Sequence, residues 1–590
     1  MTTISLTGPV DDAGRLLHED DLAAQVALSL ARLEAALAER GCRPADLAAL
    51  RVLALDPVGA TGALDVLGER LQATGADPAI TVVAHRLPLP GMQVALEAVL
   101  REPRGPDHAT RRPTRAYLSR LSRLLTRKPN EGSPMTVTTP SSPAAILRGA
   151  CEVHLPGDPG YDVARRAWNL AADQRPAAVA IPTSVAEVVS VVRAAAAAGL
   201  RVAPQSTGHG ASALAEQDLS EVVVVRLSSL TGVSIDAAAR TASVVGGTLW
   251  QDVVDAAAPY GLTALHGSAA DVAVAGYALS GGLSFYGRTH GVAANSVRAV
   301  DVVTADGALV HADATEHADL YWAVRGGGGN LGVVVGLELD LLPYADVYAG
   351  MLLWDRERAP EVVRAWAAWS REAPESATTS LRVLSFPPLP ELPPFLSGRD
   401  LVIVDGAVLE DDDRAAEVLA PLRALAPEMD TFARMPSSAL LQVHLDPPAP
   451  TPAVSDHRVL GELTDAALGA FLDQVGPGTA SGLTFAELRH LGGAFARPVE
   501  GGGAVSHVPG EYALFCVAVA PFPEAAVAGR AAARGVVAAM APWSTASLVP
   551  TFAESRVDTS AFYDGEDWVR LARLREQLDP TGVMVANHPV

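Results

Sequence analysis

The chain has 590 residues, 49% of them hydrophobic and 19% charged, with a formal net charge of −22. That length exceeds a single hydrophobic core, so several domains are expected, and the composition excludes disorder along the whole chain. The negative field excludes nucleic acid as a natural partner, and no uninterrupted apolar stretch is long enough to span a bilayer.

The opening segment, MTTISLTGPVDD, has neither the basic nor the apolar region of a signal peptide, so a cytoplasmic protein is expected. Cys42, Cys151 and Cys516 stand far apart with no CxxC pair, which indicates neither a disulfide framework nor a zinc ribbon, and no metal site is expected. Lys128 is the single lysine. It lies in LLTRKPN, outside any glycine-rich phosphate loop, which sets aside both P-loop and pyridoxal-phosphate chemistry.

In chain order, residues 1–103 alternate helix and strand signals. AAQVALSLARLEAALAER has helical apolar spacing, RVLALD reads as a strand, ALDVLGERLQATG as a helix, and AITVVAH and MQVALEAVL as strands. Residues 104–150 are rich in Arg, Pro, Ser and Thr; a basic arm for an acidic partner is one reading, and a linker with a short amphipathic helix is the favoured one. From Ala177, AAVAIP is a strand and SVAEVVSVVRAAAAAGL a helix with a capping box of Ser184 and Glu187. LRVAPQ is a strand running into STGHGAS, and EVVVVRL is a further strand, which makes a βαβ crossover.

Four glycine-rich segments carry the chemistry. In APQSTGHGAS, Gly208 and Gly210 flank His209 at a strand end, where backbone amides form a nest for pyrophosphate. Taken alone, that histidine is more readily an ordinary hydrogen-bonded loop residue. SVVGGTLWQD places Gly246 and Gly247 between a strand and a helix; HGSAADVAVAGYALSGGL is punctuated by Gly276, Gly281 and Gly282; RGGGGNLG leads into Asn330. None is a GxGxxG fingerprint at a first strand-to-helix turn, so a Rossmann domain is not the natural reading. Repeated glycine loops joined by strands suggest instead a cofactor stretched across several loops.

These segments, from WNLAADQRPAAVAIPTSVAEVV (168–189) through RGGGGNLG and again in DGEDWVRLARLREQLDPTGVMVANHPV (564–590), resemble the FAD-binding domain of the vanillyl-alcohol oxidase superfamily, in its berberine bridge enzyme-like branch. The resemblance implies an α+β multi-domain protein with a PCMH-type two-subdomain FAD-binding fold over 151–345, an antiparallel-sheet substrate domain over 346–550, and a segment 551–590 that completes the FAD domain. It implies that FAD is bonded covalently to His209 through the 8α-methyl, with Gln205, Ser206, Thr207, Gly208 and Gly210 around the pyrophosphate. Gly267, Ser268, Gly276, Gly281 and Gly282 would line the flavin, and Asn330 and Asn587 would hydrogen-bond it. Many relatives have a second flavin bond, to a cysteine in a GSC segment; here the segment is Gly267-Ser268-Ala269, so one attachment is expected. Val272 matches the position that gates oxygen, and its small side chain leans towards an oxidase. A tether keeps the cofactor in a site open to bulky substrates and should raise the flavin potential by withdrawing electron density.

On the substrate side, LTFAELRHLGGAF (483–495) would set Glu487 and Arg489 on one strand face and His490 on the other. Oxidising a C–H bond beside a hydroxyl or amine needs a base, and Glu487 or His490 could serve; an equally weighted reading is a structural strand with Arg489 paired to Glu487. Relatives often place a tyrosine base in an Asn-Tyr pair, where this chain has Thr551-Phe552; Tyr286, Tyr512 and Tyr563 are alternatives.

Residues 1–103 resemble the reactive intermediate deaminase (RidA, YjgF-like) family, which implies a chorismate mutase-like α+β domain and trimeric assembly. Its key arginine follows Pro-Ala; here Pro78-Ala79 is followed by Ile80, and Glu97 alone matches near the family site. The expectation is therefore an oxidoreductase, more an oxidase than a dehydrogenase, that passes hydride from a small organic molecule (a secondary metabolite, alcohol or sugar) to flavin N5, with molecular oxygen as acceptor and a possible homo-oligomer through the front domain. A non-catalytic flavin-binding or assembly protein is the alternative, and an NADPH-fed reductase of the MurB type a third reading.

Overall fold

The computed structural model describes residues 143–388 and 393–590, together with four strands and the helical residues Ser29 and Leu33 before them. The chain divides into two compact units, Met1–Met135 and Thr136–Val590.

In the first unit, β1 (Thr3–Thr7), β2 (Leu47–Ala54), β3 (Ala79–Ala84) and β4 (Val94–Leu100) form one sheet in the order β1-β4-β2-β3. β2 and β3 are parallel, with Leu50 opposite Ile80, and the other pairings are antiparallel. A parallel pair requires a crossover connection, and the residues between β2 and β3, where the second helix is expected, lie outside the described residues. Ser29 and Leu33, inside the first expected helix, are helical and buried; the rest of that helix is outside the described residues.

The expected linker 104–150 ends earlier than its composition suggests. Residues 104–142 lie outside the described residues, but Pro143–Gly149 is a 3-10 helix in the second unit. Ala144 and Leu147, one turn apart, are fully buried in a core shared with Val188 and Val192. Burial of that apolar pair is what converts the end of a polar stretch into structure.

The second unit opens with a four-stranded sheet ordered β5-β6-β8-β7, made of β5 (Glu152–His154), β6 (Ala178–Ile181), β7 (Arg201–Gln205) and β8 (Val222–Arg226). β6, β8 and β7 run parallel, with helix α1 (Val185–Ala197) as the crossover from β6 to β7. The α1 cap differs in detail from a capping box. Ser184 Oγ accepts from the Glu187 N–H at 3.3 Å, but the Glu187 carboxylate reaches past the cap to the Thr183 N–H at 2.7 Å.

A second, antiparallel sheet follows, ordered β12-β11-β13-β10-β9: β9 (Val233–Asp236), β10 (Thr241–Val245), β11 (Val297–Val303), β12 (Leu309–Asp313) and β13 (Val333–Asp340). Helices α2 (Trp250–Ala257) and α3 (Ala318–Gly327) pack against it, with Trp250, Trp322 and Val300 in one core.

Eight further strands build one antiparallel sheet: β14 (Asp346–Asp355), β15 (Ala377–Ser385), β16 (Asp400–Val408), β17 (Met429–Asp430), β18 (Ala433–Pro436), β19 (Ala453–Leu460), β20 (Phe485–His490) and β21 (Tyr512–Val519). Its main path is β17-β14-β16-β15-β20-β21-β19. One face is covered by α4 (Ala359–Glu372), α5 (Asp412–Arg423), α6 (Asp465–Val475) and α7 (Pro523–Ala539), whose apolar stripes bury Trp366, Leu419, Phe471 and Val536. The other face roofs the cavity described below.

The last helix, α8 (Gly565–Leu578), packs Leu571 and Leu574 into the core of the second sheet. The chain then turns back to the first sheet. Val202 of β7 donates to Val583 O at 2.7 Å and accepts from the Val585 N–H at 2.8 Å, so the C-terminal segment pairs with the free edge of β7. Asp579 locks this return: its oxygens accept from the Val583 and Met584 N–H groups at 2.9 and 2.7 Å, and Arg575 braces it at 3.0 Å. Among the described residues no helix is long and apolar enough to cross a membrane.

Asp579→Ala leaves two buried N–H groups without acceptors, each worth roughly 1–3 kcal/mol. Equilibrium urea unfolding of the full chain is therefore expected to show a loss on the order of 3 kcal/mol in the second unit.

Candidate cofactor and substrate site

Between the floor built by the two smaller sheets and the roof built by the large one lies a cavity of about 490 Å³, within the roughly 300–1,000 Å³ usual for ligand and cofactor sites. Four loops supply the floor: 204–210 after β7, 267–280, 326–332 and 586–588. They come from distant parts of the sequence: the first follows a strand of the parallel sheet, the second and third connect elements around the antiparallel sheet, and the fourth ends the C-terminal return.

At the tip of the first loop, Gly208 has φ of +85°, and a Cβ there would sit 3.0 Å from that of Ala167. Glycine is therefore required by both conformation and space. The Thr207 and Gly208 carbonyls accept from the Trp168 and Asn169 N–H groups at 3.0 and 3.4 Å, so the loop is pinned from outside. His209 follows directly, its ring stacked on Trp168 with centres 4.0 Å apart and planes 17° off parallel. Its Nδ1 lies 2.9 Å from Thr207 Oγ1 and its Nε2 lies 3.3 Å from Asp271 Oδ1.

Most of the residues expected to hold a cofactor meet here. Gln205, Ser206, Thr207, Gly208, His209 and Gly210 line one stretch of wall; Gly267, Ser268, Val272 and Gly276 line a second; Asn330 and Asn587 line a third. Gly281 and Gly282 do not line the cavity. A Cβ on Gly281 would meet Val505 at 3.3 Å, and one on Gly282 would meet Tyr277 at 2.5 Å, so these two let the chain pack behind the wall. Asn330 spends its side chain on the C-terminal segment: Nδ2 donates to Gly327 O at 2.9 Å and His588 O at 3.0 Å, and Oδ1 accepts from the Val590 N–H at 3.1 Å. Gln205 pairs with Gln174 and accepts from Arg226 Nη1 at 2.7 Å, which stiffens the end of β7.

The roof follows from strand alternation. Arg382, Leu384 and Phe386, then Phe485, Glu487 and Arg489, then Phe515, Val517 and Val519 all line the cavity. His490 points the other way. It is buried against Trp366, Trp369 and Tyr512 and bonded to Arg288, and burial, then the Arg288 charge, hold its imidazole well below the usual range. His490 cannot reach a molecule in the cavity, which corrects its expected role as an alternative base. Among the tyrosines, Tyr512 bonds Ser370 behind the sheet at 2.8 Å and Tyr286 stacks on Tyr344, while Tyr563 lines the cavity but donates to Gly326 O at 3.1 Å.

Glu487 does face the cavity, as part of an ionic network. Arg489 Nε donates to Glu487 Oε1 at 2.7 Å, Ser380 donates to the same oxygen, Arg382 is bonded to Asp405, and His444 Nδ1 lies 3.1 Å from both Asp405 oxygens. Burial alone would push the Glu487 carboxyl up, but Arg489, His444 and Ser380 outweigh it and hold it below the usual range. Asp405 is likewise pushed up by burial and brought down further by Arg382 and His444. A carboxylate so engaged is a fixed charge and a poor proton acceptor.

Phe552 stacks on Phe515 at 4.5 Å with the Arg489 guanidinium 5.3 Å above its ring. Two residues further on is Glu554, which the sequence reading passed over. It lines the cavity, and its shielded Oε2 makes no hydrogen bond. Burial pushes its carboxyl up to about 7, against the lowering effect of Ser455. Lone charges inside otherwise apolar strands, Arg382 in SLRVLS and Asp405 in LVIVDGAV, were the available signal for the network. Glu554, in an irregular segment, offered none.

The floor suits a flat, extended dinucleotide. A Cβ on Gly276 meets nothing within 4 Å, so backbone there faces open space. Tyr277 Oη, Arg382 Nε, Thr551 Oγ1, Glu554 Oε2 and His588 Nδ1 belong to lining residues and lack partners among the described residues. Buried polar atoms in that state are unusual unless a ligand completes them.

Comparison with known proteins agrees. Residues 176–313 match the family described as FAD binding domain. The chain is 35% identical over 205 residues to (R)-6-hydroxynicotine oxidase of Paenarthrobacter nicotinovorans, covering 34% of this chain and 44% of that protein. It is 30% identical over 263 residues to chitooligosaccharide oxidase of Gibberella zeae, covering 43% and 50%. The matched region thus spans half or less of these curated relatives. Among solved structures, wild-type Physcomitrella patens BBE-like 1 superposes with a TM-score of 0.66 at 22% identity, covering 76% of this chain and 99% of that one. The 6-hydroxy-D-nicotine oxidase of Arthrobacter nicotinovorans superposes with a TM-score of 0.62 at 24% identity, covering 73% and 96%. The chain therefore carries an FAD-binding domain over residues 176–313, and its second unit shares the fold of these solved structures, with the large sheet as roof.

Glu487→Ala would strand Arg489 in the buried network, and breaking a buried pair costs about 3–5 kcal/mol. A lowered denaturation midpoint for Glu487→Ala, with a smaller loss for the isosteric Glu487→Gln, is the expected result.

Proposed function

We propose that the protein is an FAD-linked oxidoreductase, an oxidase rather than a dehydrogenase, that removes hydride from a C–H bond beside a hydroxyl or amine of a small organic molecule. The observation that carries this is the position of His209. It stands at a glycine-bounded strand end, stacked on Trp168, at the edge of a cavity crossed by all four floor loops. His209 would hold FAD through one 8α bond, with no cysteine at Ala269 for a second. The Gly208, His209 and Gly210 backbone faces the pyrophosphate in this reading, while Gly267, Gly276 and Asn587 would border the ring system.

Bound FAD supplies the two-electron chemistry; the chain supplies orientation, dryness and proton handling. The roof grades from an ionic row, Arg382 with Glu487, to an apolar row, Leu384 with Phe485, paired in register on β15 and β20. It fits a molecule with a polar group at one end and an apolar or ring-shaped body. Sugars and secondary metabolites both qualify; the two curated relatives above are named for a hydroxynicotine and a chitooligosaccharide. Glu554, outside the ionic network and poised near neutrality with one oxygen free of hydrogen bonds, is the group that takes the hydroxyl or amine proton as hydride departs, in place of the absent tyrosine. Val272 on the wall leaves room for oxygen as the acceptor.

The front unit, with its mixed sheet, is proposed to be a deaminase-like domain of the RidA type. Ile80 in place of the carboxylate-binding arginine leaves it assembly or ligand-holding work, and a homo-oligomer would form through it.

Intact mass of denatured full-length protein is expected to exceed the chain by one FAD, and His209→Ala to lose that increment. Anaerobic mixing with a panel of alcohols, sugars and cyclic amines should bleach the yellow absorbance for at least one class; a panel with no bleaching counts against turnover. With that substrate, Glu554→Gln should lower kcat/KM by roughly 10²–10⁴-fold. The wild-type rise of kcat/KM through pH about 7, as the carboxyl loses its proton, should disappear in that variant.

A further inference from the structure

The surroundings of His209 are more specific than a tether needs. Its two ring nitrogens face different partners: Nδ1 is 2.9 Å from Thr207 Oγ1, and Nε2 is 3.3 Å from Asp271 Oδ1. Trp168, Thr207 and His209 line the cavity, whereas Asp271 does not. Asp271 therefore sits behind the ring. Its second oxygen accepts from Trp168 Nε1, so one carboxylate fixes both the imidazole and the indole stacked on it. Burial pushes the Asp271 carboxyl up, but the His209 and Trp168 hydrogen bonds outweigh it and keep the group ionised.

A carboxylate on one imidazole nitrogen selects the tautomer with the proton on that nitrogen and leaves the lone pair on the other. The same arrangement activates nucleophiles in general: a nucleophilic atom, a base, and a third group that fixes orientation. We propose that Asp271 is the positioning residue for covalent flavin attachment: it holds the Nε2–H tautomer of His209, presents Nδ1 to the cavity as the bonding atom, and takes up the Nε2 proton as the bond forms.

This rests on the FAD reading above and goes beyond it, by assigning the attachment atom and the residue that drives the attachment. The balance is simple. One C–H bond of the ring's 8-methyl group is replaced by a C–Nδ1 bond. The methyl hydrogen and the imidazole N–H hydrogen leave as two protons and two electrons. Molecular oxygen accepts them and becomes hydrogen peroxide, so carbon is oxidised by the two electrons that oxygen gains. Asp271 carries the imidazole proton on its way out. Thr207, on the Nδ1 side, has only to turn its hydroxyl aside. Without a carboxylate at Nε2 that tautomer loses the acceptor for its proton, and the positive charge growing on the ring as Nδ1 is alkylated has no partner.

The test uses full-length protein made in riboflavin-limited cells, mixed with FAD in air, quenched in acid at intervals and read by intact mass. Wild type is expected to gain one FAD. Asp271→Asn is expected to bind FAD, seen as quenched flavin fluorescence, but to attach it at least tenfold more slowly. Asp271→Glu should recover most of the rate, which a role in packing alone would not predict. NMR of the proteolytic flavin peptide from wild type should show attachment at Nδ1. Attachment at Nε2, a wild-type rate in Asp271→Asn, or loss of all FAD binding in both Asp271 variants overturns the proposal. The readouts separate this inference from the reading beneath it. Wild type that binds FAD without gaining mass removes the tether and leaves the oxidoreductase, while wild type that binds no FAD removes both.

Discussion

The site depends on one short piece of pairing. Val202, in the middle of β7, exchanges two hydrogen bonds with the returning C-terminal segment, to Val583 and from Val585. That strap closes the edge of the first sheet and carries residues 586–588 into the cavity wall. Three residues beyond Val202 the strand ends at Gln205, itself held by Gln174 and Arg226. The loop that follows has little freedom: Gly208 is pressed against Ala167, and its neighbours are bonded to 168 and 169. His209 is thus aimed by backbone, from segments nearly 400 residues apart in the chain. Preorganisation of this kind holds a side chain in place without an ordering cost when a ligand arrives.

The roof obeys a different constraint. A large antiparallel sheet with helices on one face can leave its other face over a ligand, and here that face holds two arginines and two carboxylates with His444 among them. Buried charges in such number persist only when each is paired, because removal from water is costly. The result is an electrically fixed ceiling beside a patch of phenylalanines. Glu554 lies outside that network and keeps the freedom to exchange a proton. The two carboxylates therefore divide along the line that environment sets: one locked in its ionised form, one near neutrality.

Part of the floor was legible in the chain itself. Glycine-rich loops after apolar strands mark places where φ is positive or backbone lies close to a neighbour, and they pointed to the segments around His209 and Gly276, which line the cavity; Gly267 was named through the family resemblance alone. Gly281 and Gly282 carry the same signal for a different reason, close packing against Val505 and Tyr277. The roof was half legible. Alternation placed Glu487 and Arg489 on one face and His490 on the other, but alternation cannot say which face sees the cavity. Asp271 was in plain view inside HGSAADVAV and passed over, because its meaning is its distance from His209.

The sequence by itself determined the element types, the glycine turns, the absence of a thiol at Ala269 and of a tyrosine at Phe552, since each is a property of a residue and its immediate neighbours. Only the tertiary structure decided that Glu554 stands outside the ionic network while Glu487 is locked in it, that Asn330 serves the C-terminal strap, and that the two nitrogens of His209 face different groups. Those facts depend on which atoms from remote segments come within a few ångströms, and proton affinity and hydrogen bonding respond to that distance alone.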